Sequence, residues 1–170
     1  VLFRSRKNKE KSKCLHSLLV ELEVVLRNAI NHILVTEIGE SWTSSEHLKP
    51  QQQEVINAVI QFLKSQNKPI NNSNIISNLH FGFWVYFFNA VYDRSFWRQY
   101  LYKIFTNPPS ALSRGVVRLE LEKFKKLRNR IAHCENILKY PHKRYAEEIF
   151  EFINWINPQI SAWVREISKA

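Results

Sequence analysis

"LHSLLVELEVVLRNAINHIL", residues 15–34, decides the fold class. Leu15, Leu18, Leu19, Leu22, Leu26, Ile30 and Ile33 recur at steps of three and four, the spacing of one buried stripe on an amphipathic helix. The pattern predicts a helix over residues 13–38, with Gly39 as its natural stop. Working outward, Pro50 suits the first turn of a second helix reaching Gln66. "NKPINNSN" is a loop by composition, and Ser73 or Asn74 can cap a third helix through the aromatic run 79–92. Asp93 or Ser95 can cap a fourth, to Phe105, and "TNPPS" then breaks the chain. A fifth helix is expected over 111–138 and a sixth over 142–156, with Pro158 opening a last short one. No stretch alternates with period two. The reading is an all-α bundle of six to seven helices. It forms a single domain over residues 13–170, preceded by a basic, flexible or solvated segment over 1–12 that contains "RSRKNKEKSK".

Composition narrows the function. With 170 residues, 45% of them apolar, the chain can bury a sizeable core. A net charge of +10 points to an anionic partner, nucleic acid before membrane. The longest apolar run, "FGFWVYFFNAVY", is about a dozen residues against the ~20 that a spanning helix needs. No secretory signal is legible, and two cysteines, Cys14 and Cys134, make no disulfide framework, so a cytoplasmic location is expected. The six histidines show no metal-binding spacing, and neither metal nor cofactor is expected.

The chemistry concentrates in "KKLRNRIAHCENIL", residues 125–138. On a continuous helix Phe124, Leu127, Ile131, Cys134 and Leu138 share one stripe facing the core. His133 then lies about 140° from the centre of that stripe, with Asn129 and Asn136 on its own outer face. Histidine is the side chain whose ordinary titration lies nearest neutrality, which suits it to general acid–base work. Arginine holds phosphate bidentately. Together they suit metal-free cleavage of RNA, where the 2′-hydroxyl supplies the nucleophile. On this chemistry His133 could move the proton and an arginine beside it could hold the phosphate. Lys125, Lys126 and Arg130 supply sequence-independent attraction for the RNA backbone. "LRNAINH", residues 26–32, repeats the Arg-Asn-x-x-x-His spacing with Arg27, Asn28 and His32. A bare Arg-x4-His recurs easily by chance in a chain this basic, and an outward helix face is more often simply solvated. The aromatic run 81–88 could stack on bases, but its plainer reading is helix-packing core.

The longer context resembles a known family. "LEVVLRNAINHIL…GESW", "LHFGFWVYFFNAVYDRSFWRQYLYKIF", "KKLRNRIAHCENIL" and "INWINPQISAWV" follow one another as in the Abi-like abortive-infection proteins, which belong to the all-α HEPN superfamily. The resemblance spans residues 22–163. It implies a HEPN-like bundle and a metal-independent ribonuclease of phage defence or a toxin–antitoxin system. It also implies a homodimer whose Arg-x4-His motifs meet across the interface, with an antitoxin or defence partner. By this resemblance Arg128, Asn129 and His133 form the motif, and Glu135 is the acidic residue after it. Glu23, Arg27 and Asn28 match a first-helix signature of supporting role. The family commonly places a second histidine where this chain has Cys134. The alternative reading is an RNA-binding or dimerisation module of the same fold without turnover.

Overall fold

The computed structural model describes residues 2–44, 46, 48–138 and 140–168, and for residues 2–7 the backbone alone. Among these residues all regular structure is helical. The α-helices are α1 (Leu2–Glu37), α2 (Pro50–Ser65), α3 (Asn72–Ser77), α4 (Phe81–Tyr86), α5 (Arg114–Ala132), α6 (His142–Ile156) and α7 (Pro158–Ile167). None of the described helices is long and apolar enough to cross a membrane. Backbone contacts divide the chain into two compact units. One comprises the chain up to Leu26 and from Phe105 onward; the other runs from Arg27 to Ile104.

In the first unit the early part of α1 and all of α5, α6 and α7 supply the core. Leu15, Leu18, Leu19 and Leu22 are buried, as the three-and-four spacing requires. So are Val117, Leu121, Phe124 and Leu127 of α5. Phe152 of α6 meets Phe124 edge-to-face, with 5.8 Å between ring centres. α6 and α7 form a helical hairpin. Pro158 occupies its first turn, and the Asn157 side chain accepts from the Gln159 and Ile160 amides at 2.9 and 3.1 Å. The buried Ser161 hydroxyl donates to the Phe150 carbonyl at 2.8 Å, so this polar group loses no hydrogen bond on burial.

In the second unit α4 carries the aromatic run, and it is core. Phe81, Phe83, Trp84, Phe87 and Phe88 are all buried. A single helix through 79–92 does not form. α4 stops at Tyr86, and short turns at Ala90–Tyr92, Asp93–Trp97 and Leu101–Ile104 replace the long third and fourth helices expected. A straight helix buries one stripe, whereas the aromatic residues here fall all round. Breaking the helix lets Tyr92 and Phe96 turn inward as well, 5.6 and 5.3 Å from Phe87. Asn31 of α1 anchors this unit. Its amide oxygen accepts from the Trp42 indole at 2.9 Å and from the Asn72 amide at 3.0 Å.

α1 begins at Leu2, eleven residues before the apolar stripe predicts, so the basic segment is helical where described. Val1 and the side chains of residues 2–7 lie outside the described residues.

Replacing Asn31 with Ala leaves the indole donor of the fully buried Trp42 without its acceptor. The expected loss is on the order of 2 kcal/mol, read as a lower denaturant midpoint at unchanged slope. Tyr92 supplies a pH test. Its hydroxyl accepts from the Lys49 amide at 2.6 Å, and burial pushes its pKa up from 10.0 to about 12. Below pH 10 the phenol is neutral in both folded and unfolded chains, and its contribution to stability is whole. As pH rises from 10 towards 12 the unfolded chain ionises first, so that stability is lost. Alkaline denaturation of the parent should therefore steepen over this range relative to Tyr92→Phe.

Candidate functional site

The site is built on the last turns of α5 and the loop that leaves it. Ser113 caps the start of the helix, its hydroxyl accepting from the Val116 amide at 3.3 Å. Val117, Leu121, Phe124, Leu127 and Ile131 face the core, and this stripe fixes the rotation of every other side chain. Arg128 is half-buried and Asn129 exposed. No described residue makes a hydrogen bond or ion pair with the Arg128 guanidinium or the His133 ring.

The helix does not continue to Leu138. It ends at Ala132, and His133 is the exposed C-cap. Cys134 takes the left-handed conformation, with φ 54°. Its amide donates to the Ile131 carbonyl at 3.0 Å, and the Glu135 amide to the Arg130 carbonyl at 2.9 Å. This is the Schellman closure of a helix, a place where glycine is usual. Cys134 is therefore exposed rather than on the core stripe, and Asn136 shares no helical face with His133. Two physical causes contribute. His, Cys and Asn are weak helix formers. The turn also brings Ile137 to full burial, which a continued helix would rotate well off the stripe. Asn136 then turns the chain again, its side chain accepting from the Leu138 amide at 3.0 Å.

Asn8 of α1 holds this loop. Its side-chain oxygen accepts from the Ile137 amide at 2.8 Å, and its nitrogen donates to the Glu135 carbonyl at 3.4 Å. Sequence reading missed Asn8, because within a lysine-rich run nothing marks one asparagine as a clamp.

The cations differ in their partners. Lys125 pairs with Glu122 at 2.8 Å. Arg130 pairs with Glu135 at 3.1 Å and lies over the Tyr140 ring at 5.3 Å. Lys126 is exposed, with no partner among the described residues. Glu135 thus reaches back across the Schellman turn, where a hydrophobic contact is common. Beyond the loop, His142 opens α6. Burial, then the Lys11 and Lys143 ammonium groups, hold its pKa below the usual histidine value.

The first-helix signature divides between the units. Glu23 is half-buried in the first. In the second, the Arg27 guanidinium donates to its neighbour Asn28 at 3.3 Å. His32 is exposed, and its carbonyl accepts from the Thr36 hydroxyl at 2.8 Å. The residue of "RNAINH" with a clear structural task is Asn31, which the motif spacing passes over. Among the described residues no three His, Cys, Asp or Glu side chains converge as a metal ion needs.

A non-glycine residue held in the left-handed region costs on the order of 1 kcal/mol. Cys134→Gly should relieve it and raise the melting temperature by about 2–4 °C. Cys134→Val, β-branched at the same φ, should lower it. Equal melting temperatures for the two variants would contradict the strained turn.

The chain matches no family model, no curated protein and no solved structure.

Proposed function

We propose that the chain is a metal-independent endoribonuclease of the HEPN type, acting as a homodimer in phage defence or a toxin–antitoxin system in the cytoplasm. One observation carries the reading. The neighbouring cations Lys125 and Arg130 are paired with carboxylates, whereas Arg128 and the exposed His133 have no partner among the described residues. A structural arginine would have a carboxylate or a carbonyl to hold; an arginine left without either is available for a phosphate.

In the proposed reaction the RNA 2′-oxygen attacks the adjacent phosphorus and loses its proton to a general base. The bond to the 5′-oxygen breaks, and that oxygen takes a proton from a general acid. The products are a 2′,3′-cyclic phosphate and a 5′-hydroxyl end. His133 is the acid–base, and a second copy of the motif across the dimer supplies the complementary group. Arg128 stabilises the charge that grows on the phosphoryl oxygens. Asn129, exposed one residue on, orients the phosphate or the imidazole. Lys126 contributes attraction for the strand, and Lys125 and Arg130 contribute it only when Glu122 and Glu135 release them. Glu135 acts through Arg130 and its own backbone.

Cys134 favours the rival reading, an RNA-binding module without turnover, since the resemblance places a second histidine there. The two separate in one assay. His133→Ala should reduce cleavage of a single RNA substrate by about 10²–10⁴-fold with little change in RNA affinity. Arg128→Lys should also be impaired, because a point charge does not replace the planar fork. His32→Ala should cleave as the parent does, and chelator should leave the parent rate unchanged. RNA binding with no cleavage by the parent establishes the rival. Chelator-sensitive cleavage that survives His133→Ala refutes the mechanism.

A further inference from the structure

Beside the motif, in the same unit, a cleft of about 300 Å³ opens along α5. Leu127 and the exposed Leu119 give it apolar walls, Tyr140 and Tyr145 aromatic ones, and Lys126 and Arg130 a cationic rim. The two tyrosine rings meet edge-to-face, 6.3 Å apart and 69° from parallel. The volume is at the small end of ligand pockets, which run to about 1,000 Å³, and admits one nucleotide rather than a folded peptide.

The charges sort within it. Lys123 is held by Glu120 and Glu148, the latter at 3.0 Å. Glu122 is held by Lys125 at 2.8 Å. Lys126 remains as the rim cation with no partner among the described residues. Arg130 borders both places. It lies over the Tyr140 ring, and His133 caps the helix three residues on, which makes the two neighbours on one helix end.

We propose that this cleft binds one nucleoside monophosphate unit of an RNA strand, its base against Tyr145 and its phosphate on Lys126. Aromatic faces beside a backbone cation are the general arrangement for single-stranded nucleic acid. The assignment of the unit to a strand rests on the ribonuclease reading above; the binding of a nucleotide does not. The cleft is a subsite for a base flanking the cleaved bond. Binding there sets which phosphate reaches Arg128 and His133.

The test compares ligands that differ by one part, using calorimetric titration of the full chain. AMP and CMP should bind at least about tenfold more tightly than ribose 5-phosphate, since a stacked base adds that much or more. Tyr145→Leu should remove the difference while leaving ribose 5-phosphate binding intact, and Tyr145→Phe should keep it. Lys126→Ala should weaken all three ligands alike. A short RNA should lose affinity with Tyr145→Leu by the same factor as AMP. The proposal is overturned if the nucleotides bind no better than ribose 5-phosphate, or if Tyr145→Leu, folded by circular dichroism, keeps the difference. It is overturned as an RNA subsite if AMP responds to the substitution and the short RNA does not. Nucleotide and RNA binding that respond to Tyr145→Leu in a protein that never cleaves RNA refute the ribonuclease and leave the cleft standing.

Discussion

A single residue in a left-handed conformation decides what the end of α5 is. Had Cys134 stayed helical, the chain would run on, Asn136 would lie on the face of His133, and Ile137 would turn away from the stripe. Instead the Schellman closure satisfies the last carbonyls of the helix, buries Ile137 and reverses the backbone onto Asn8. Glu135 is carried back onto Arg130 by the same turn. His133 is left as a cap, exposed and held through its own amide, which donates to the Asn129 carbonyl at 2.9 Å. The ring is positioned by backbone geometry rather than by a side-chain partner.

Excess positive charge is handled unevenly along α5. Carboxylates are spent on the middle of the helix and on its end. Burial pushes Glu148 up, but hydrogen bonds from Lys123 and Arg144 outweigh it and hold its carboxyl below the usual range. Half-exposed pairs of this sort add little to stability. Their effect is selection: they quench Lys123, Lys125 and Arg130 in place and leave Lys126 and Arg128 uncommitted. On the proposed function a phosphate would meet Lys126 and Arg128 first and recruit Arg130 only by displacing Glu135.

Much of the fold was legible. The stripe from Leu15 to Ile30 and the proline-started helices α2 and α7 follow from spacing and from the fixed backbone of proline, although Leu34 rather than Ile33 is the next residue buried. The aromatic segment was legible as core but not as structure, because no period describes rings that all turn inward through a broken chain. At the site, the exposure of His133 and the burial of Leu127 and Ile131 follow from the 100° step. The break at Cys134 does not, since glycine or asparagine marks such turns and both occur at the other left-handed positions, Gly39 and Asn67. A cysteine there carries no such signal. Asn8, Tyr140 and Tyr145 were invisible for a different reason. Their importance comes from where the fold brings them, and nothing in their immediate neighbours records it.

The Asn8 clamp orders events in time as well as in space. Asn8 and Ile137 are separated by 129 residues, so their hydrogen bond cannot form until the segment between them has been made. At about 5–20 residues per second, synthesis separates the two halves of the clamp by roughly 6–26 seconds. A nascent chain has its basic first helix early and its finished motif late.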